Sequence, residues 1–276
     1  MSLPVNHPYQ ITDREYSQIQ NLILDWTGIS LGPNKRPLVI GRLGKRLRHY
    51  QLATFSEYLI HPLQRAPEER QVMIDLLTTN ETYFFREPAH FEYVEQQILP
   101  HLKSRPVRAW SAACSTGEEP YTLAMVLANH LDQTDWSILA TDINRTVLDI
   151  AQSGLYDLSA ADKIPPRYRE RYCLKGVRAK AGLMMIEPSL RDRIQFQPFN
   201  LQSDGSRLGQ FDLIFLRNVM IYFNLETKRS LISRMVDRLN PGGFILVGHS
   251  ETLNGLNPQL VMKKPSIYQK MCPKQR

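Results

Sequence analysis

The chain has 276 residues, 42% of them hydrophobic and 22% charged, with a net charge of +7. That is room for one large domain, or a catalytic domain with a small companion, and the basic balance implies an acidic partner. No apolar run approaches the roughly 18 residues of a membrane span. The N-terminus lacks a signal-peptide pattern. Three widely spaced cysteines argue against a disulfide framework, and seven scattered histidines against a structural zinc site. A cytoplasmic protein without metal is expected.

The first ninety or so residues read as helices. Thr12-Asp13-Arg14-Glu15 is a capping-box pattern, followed by Tyr16, Ile19, Ile23 and Trp26 at helical spacing. Gly28 and Gly32-Pro33 end that helix. A second helix is expected over Pro37 to Tyr50, with Val39, Leu43, Leu47 and Tyr50 inward. Between Thr27 and Ser56 there is no acidic residue, whereas Lys35, Arg36, Arg42, Lys45, Arg46 and Arg48 all fall there. Arg42, Lys45, Arg46 and His49 share one helical face, which is either a solvated surface or a patch for an acidic partner. Thr54 to Glu57 opens a short third helix and Pro67 a fourth; one more is expected from about Pro88 to His101.

The texture then changes. Short apolar runs at Val107–Ala109, Ile138–Ala140, Ile194–Phe196, Phe211–Phe215 and Phe244–Val247 are separated in several places by helical patterns, the last ending at Pro241-Gly242-Gly243. Strand and helix in alternation predict a mostly parallel, doubly wound sheet, with Ser266–Met271 as a closing edge strand. The long segment Leu155 to Arg193 is charged and punctuated by Pro165-Pro166, and a small inserted subdomain is expected there.

In such a sheet ligands bind at the carboxyl ends of the strands. After the first strand comes Trp110-Ser111-Ala112-Ala113-Cys114-Ser115-Thr116-Gly117-Glu118-Glu119-Pro120. Small residues let a ligand approach the backbone. The acidic pair would repel a pyrophosphate but suits a cation such as the sulfonium and ammonium of S-adenosylmethionine; an ordinary strand-to-helix turn with Glu at the helix start is the alternative. Asp142, about 25 residues after this loop, is placed to accept from ribose hydroxyls or to cap a helix. Asn200 and Leu201 follow the third run. The fourth delivers Arg217-Asn218-Val219-Met220-Ile221-Tyr222-Phe223.

These stretches, together with Thr78-Thr79-Asn80-Glu81-Thr82-Tyr83-Phe84-Phe85-Arg86-Glu87 and His249-Ser250-Glu251, closely resemble the CheR-type chemotaxis receptor glutamate methyltransferases, in order from about Thr12 to Gln269. The resemblance implies an all-helical N-terminal domain with linker (1–88). It implies a Rossmann-like α/β methyltransferase domain (89–276) bearing a small β-subdomain at about 155–193. It assigns cofactor contacts to Asn80, Thr82, Arg86, Glu118, Asp142, Asn200, Leu201, Arg217 and Asn218. Arg86 and Tyr222 match the family's catalytic or substrate-orienting pair. The implied reaction transfers methyl from S-adenosylmethionine to glutamate carboxylates of chemoreceptors, leaving S-adenosylhomocysteine, at receptor arrays under the membrane. The implied partners are a receptor helical bundle, met by Arg42, Lys45 and Arg46, and in some members a C-terminal tethering peptide on the β-subdomain. A glutamate acceptor is ionised at neutral pH and needs no general base, in keeping with the orienting donors Arg86 and Tyr222 and with the absence of His from Thr78–Glu87, Trp110–Tyr121, Ala140–Ile143 and Arg217–Phe223. A nucleic-acid methyltransferase is the alternative. The segment between Asn218 and Tyr222 lacks the prolines of the amino-methylating Asp/Asn-Pro-Pro-Tyr/Phe motif and is one residue too long.

Overall fold

The computed structural model describes residues 9–102, 106–132 and 135–272. Two compact units emerge: residues through Thr79 with Tyr222–Asn224, and Asn80–Ile221 with Leu225–Arg276. The division falls at Thr79/Asn80, within the stretch through 88 that the resemblance gives to the helical domain and its linker. The reason is local: Phe85 N donates to Thr122 Oγ1 (3.1 Å) and Ser115 Oγ to the Asn80 carbonyl (2.9 Å), so residues 80–87 pack with the second unit.

The first unit is helical: α1 (Asp13–Thr27), α2 (Arg36–His49), α3 (Phe55–Ile60), α4 (Pro62–Arg65) and α5 (Pro67–Leu77). Both expected capping boxes form, at Thr12 and Thr54, and Gly28 ends α1 at φ 76°. Glu15 does more than cap: its Oε2 accepts from Thr12 N (2.8 Å), while Oε1 accepts from Ser56 N (2.7 Å) at the start of α3. Val39, Leu43 and Leu47 are buried as expected, whereas Tyr50 is half-buried.

The basic face of α2 does not present all its charge to solvent. Arg46 donates through Nε (2.8 Å) and Nη2 (2.7 Å) to Glu69, which is 1% exposed and also accepts from Tyr50 (2.9 Å) and Tyr58 (2.7 Å). Arg42 donates to the carbonyls of Leu76 (2.9 Å) and Thr78 (2.6 Å), which the end of α5 leaves without intrahelical donors. Of this face only Lys45 and His49 are exposed, with Arg48 exposed beside them. A carboxylate buried as deeply as Glu69 would be strongly disfavoured without its four donors.

The second unit is built on a seven-stranded sheet in the order β6-β2-β1-β7-β8-β10-β9. Its strands are β1 (Val107–Ala112), β2 (Trp136–Asp142), β6 (Ile194–Pro198), β7 (Phe211–Leu216), β8 (Leu239–Val247), β9 (Leu260–Lys264) and β10 (Ile267–Lys270). From β6 to β8 every pairing is parallel; β10 and β9 are antiparallel. Every residue of β7 is buried, as a strand covered on both faces requires. The main covering helices are α7 (Glu118–His130), α8 (Arg145–Ser153) and α11 (Leu225–Arg238).

Three details differ from the sequence reading. The Ser266–Met271 strand is internal; the edge is β9, whose Val261 and Met262 are exposed and leave no alternating pattern to read. Pro241-Gly242-Gly243 lies within β8, at a shift in its register with β7. The helix expected to His101 is α6 (Pro88–Tyr93) followed by a π turn (Val94–Ile98) and a 3₁₀ turn (Leu99–His101). Pro100 supplies no N–H to the carbonyl four residues back, so the α pattern fails ahead of it. The expected insert is a three-stranded antiparallel sheet, β3-β5-β4, of β3 (Leu155–Asp157), β4 (Cys173–Lys175) and β5 (Leu183–Ile186), with α9 (Pro166–Tyr172) between β3 and β4. α10 (Pro188–Arg191) leads back to β6.

The Arg46–Glu69 pair yields a stability prediction. Burial works to raise the Glu69 pKa, but Arg46 and the two tyrosine hydroxyls outweigh it and hold the carboxyl below its usual value. A depressed carboxyl stabilises the fold above its unfolded pKa and loses that contribution as pH falls through the folded value. Stability of the helical unit is therefore expected to fall on acidification below about pH 4.5. Arg46→Ala is expected to cost about 3 kcal/mol at neutral pH, read by urea unfolding followed with circular dichroism.

Candidate active site

The chain runs from β1 outward through β2 to β6, then returns to β7 on the other side of β1. The carboxyl ends of β1 and β7 thus flank the switch point, where doubly wound sheets bind ligands. Left-handed backbone concentrates here. Of eight non-glycine residues at positive φ among those described, Phe85, Glu87, Ala113, Ser115 and Asn218 lie in or beside the motifs singled out above. Such conformations cost free energy and persist where the surroundings enforce them.

The enforcement after β1 comes from β2. Ala113 N and Cys114 N both donate to the Thr141 carbonyl (2.8 and 2.9 Å), and Ser115 N donates to Asp142 Oδ2 (2.8 Å). Gly117 then turns at φ 96°; a Cβ there would stand 2.8 Å from that of Ala151 and 2.9 Å from the Tyr156 hydroxyl, so glycine is required. α7 begins immediately with Glu118 and Glu119. Glu118 accepts from Thr116 Oγ1 (2.6 Å), and burial pushes its carboxyl above the usual range.

Asp142 serves the loop on both sides. Besides Ser115, its Oδ1 accepts from Asn144 N (2.9 Å), and its carbonyl accepts from Phe199 N (2.9 Å) just after β6. Asn144, not Asp142, caps α8 by accepting from Val147 N (3.1 Å). Asn200 follows, half-buried, with Oδ1 accepting from Gln202 N (2.9 Å); Leu201 is buried.

Beyond β7, Arg217 is buried as a charge. Its guanidinium donates to Glu119 Oε2 (3.0 Å), to Glu87 Oε2 (3.0 Å) and to the Arg86 carbonyl. Burial pushes Glu119 up against the pull of Arg217, whereas at Glu87 the charge of Arg217 and donors from His249 and Asn218 overcome burial and hold the carboxyl low. Asn218, at φ 58°, donates through Nδ2 to Glu87 Oε1 (3.3 Å) and through its peptide N–H to Glu251 Oε2 (2.7 Å). Glu251 also accepts from Gly248 N (2.7 Å) and Ile221 N (3.2 Å).

Asn80, Glu118, Asp142, Arg217 and Asn218 therefore belong to connected polar networks in the second unit. Thr82 and Arg86 lie in the segment leading into α6, with Arg86 Nη1 donating to the Glu81 carbonyl (2.7 Å). Tyr222 belongs to the helical unit, where its carbonyl accepts from Ser30 N (2.8 Å) and Phe223 bridges Ile29. Sequence reasoning gave no role to Glu87 or Glu119 as holders of Arg217. A buried arginine directly after an apolar strand demands such carboxylates, and that was the available signal.

A parallel sheet switching direction between β1 and β7, with carboxylates rather than a phosphate cradle at the switch, defines a Rossmann-like methyltransferase using S-adenosylmethionine. The donor set fits that cofactor: Asp142 stands at the end of β2, and Glu118 is a half-buried carboxyl whose ionised form a sulfonium or ammonium would favour. The chain belongs to the CheR methyltransferase family: residues 80–268 match its SAM binding domain and 14–78 its all-alpha domain. It is 41% identical over 250 residues to chemotaxis protein methyltransferase 2 of Pseudomonas aeruginosa, covering 89% of each chain. It is 37% identical over 262 residues to the chemotaxis protein methyltransferase of Escherichia coli, covering 94% of this chain and 91% of that one.

Two outcomes are expected in calorimetric titrations. Asp142→Asn, which keeps the shape but replaces one acceptor oxygen with an amide, should weaken S-adenosylhomocysteine binding about tenfold. Because burial raises the Glu118 pKa, its carboxyl is neutralised at a higher pH than an exposed glutamate; affinity for cationic S-adenosylmethionine should decline on acidification more than affinity for S-adenosylhomocysteine.

Proposed function

We propose that this chain methylates glutamate side chains of chemoreceptors for sensory adaptation, acting at receptor arrays on the inner face of the membrane. The observation that carries the reading is the match to chemotaxis protein methyltransferases across both units, over about nine-tenths of each chain. The nucleic-acid alternative has no support: the relatives matched are chemotaxis protein methyltransferases, and no proline lies between Asn218 and Tyr222.

Asn80, Thr82, Arg86, Glu118, Asp142, Asn200, Leu201, Arg217 and Asn218 would hold the cofactor. When bound it supplies an electrophilic methyl group on a sulfur that is its own leaving group. The chain's task is then alignment. Desolvating a glutamate while keeping it ionised needs a donor or cation beside it, the role assigned to Arg86 and the Tyr222 hydroxyl. Arg86 suits it because its guanidinium meets a backbone carbonyl and the Tyr83 ring (5.9 Å) but no carboxylate. Arg217 is held by two carboxylates, which suits a positioning role around Glu87 and Glu119.

For the receptor helical bundle, the exposed cations Lys45 and Arg48 are the docking candidates on α2. Arg42 and Arg46, expected to dock as well, are engaged inside the helical unit. The small sheet offers an edge at β4, with Leu174 and Val177 exposed, to a receptor tethering peptide.

The test is transfer of labelled methyl groups to receptor cytoplasmic fragments, with and without their C-terminal tails. A base-labile product is expected, as for an ester; base-stable label would sink the glutamate reading. Arg86→Ala and Tyr222→Phe should each lower turnover about tenfold or more. Wild-type turnover of Tyr222→Phe would make that residue packing only. Lys45→Glu/Arg48→Glu should raise KM for receptor while leaving S-adenosylhomocysteine affinity unchanged; equal loss of both would point to misfolding.

A further inference from the structure

The seven histidines look scattered in sequence, but the fold brings two of them together with one carboxylate. Glu87, His90 and His249 place one donor atom each within 4.8 Å of one another. The two imidazoles meet edge to face, with centroids 4.9 Å apart. His90 is 1% exposed; His249 lies at the surface.

The Ser266 hydroxyl lies within reach of both the Pro265 carbonyl (2.6 Å) and His90 Nε2 (2.7 Å). When it donates to the carbonyl, the ring donates through Nε2 and Nδ1 is the nitrogen left with the lone pair. In that tautomer Nδ1 presents its lone pair. It is buried and makes no hydrogen bond to any described residue. It points at Glu87 Oε2, 3.4 Å away, an atom that can only accept. A buried imidazole nitrogen without a hydrogen bond, facing a carboxylate oxygen at that distance, leaves room for an electrophile held between them. A neutral imidazole whose far nitrogen donates to an oxygen is also the arrangement that orients a metal-bound histidine.

We propose that Glu87, His90 and His249 form a binding site for a divalent transition-metal ion of borderline softness, such as zinc. Two imidazoles and one carboxylate are a common ligand set for such ions, with a fourth position open. At metal–ligand distances of about 2.0–2.1 Å, tetrahedral ligands stand about 3.3 Å apart. The His90–Glu87 separation of 3.4 Å already meets this. The exposed His249 ring is free of the burial that would resist a change of rotamer, and its backbone is held at the site by donation to Glu87 Oε1 (3.1 Å). Arg217 bears on the same carboxylate and opposes a cation. Glu119 offsets it, so the carboxylates outnumber the guanidinium. The site does not rest on the cofactor or receptor assignments.

The test is calorimetric titration of the full chain with zinc, alongside cobalt(II) as a spectroscopic probe. One zinc per chain is expected, with visible cobalt absorption of a low-coordinate N/O site. His249→Ala, at the surface, should weaken binding at least tenfold. Ser266→Ala keeps every ligand but removes the partner of Nε2, and should weaken it by about tenfold. His101→Ala, at an exposed histidine outside the cluster, should change nothing. His90→Ala should abolish binding; should it fail to fold, His249→Ala decides alone. No zinc bound, or equal affinity in the wild-type and His249→Ala proteins, overturns the proposal.

Discussion

The buried guanidinium of Arg217 is the interaction on which the catalytic unit's geometry depends. It sits at the end of β7, between Glu119 in the first turn of α7 and Glu87 at the start of α6. One side chain therefore ties together a strand end, a helix start and the segment entering the domain. A charge so deeply buried is tolerated only when partnered. Its partners are in turn shaped by it: Glu87 is held ionised, and through Asn218 and the His249 peptide it gathers the turns after β7 and β8. The left-handed backbone at Glu87 and Asn218 sits within this same network. Strain and ion pairing are coupled here.

A second, independent device serves the other half of the site. Asp142 closes the loop after β1 onto the end of β2, and its carbonyl anchors the turn after β6. The three strand ends that frame one side of the switch point are thereby joined through one residue. Arg217 and Asp142 divide the strand ends at the switch point between them.

Much of this was legible in the sequence, for identifiable reasons. Capping boxes at Thr12 and Thr54 are local signals, and both formed. The core strand Phe211–Leu216 is apolar enough to read as buried despite Asp212, whose carboxylate accepts from Arg108 N and Asn240 at the far end of the sheet. Long-range partnerships were not legible. Arg42 and Arg46 read as a basic face because their acceptors, the end of α5 and Glu69, lie in a different helix. β9 was missed because an exposed edge strand carries no alternation. His90 and His249 share a cluster only because α6 and the turn after β8 converge on Glu87.

The short segment Tyr222–Asn224 carries a consequence for the chain's modularity. It pairs with Ile29 and Ser30 of the helical unit, although the residues on both sides of it belong to the catalytic unit. The two units are thus not beads on a string: the second lends three residues from its middle to complete the first. A cut at Thr79 would separate the sequence without separating the structure. The helical unit would lose the β-bridge between Ile29 and Phe223. Replacing the N-terminal helices would require keeping that pairing, which couples the sequence of the loop after β7 to that of the turn after α1.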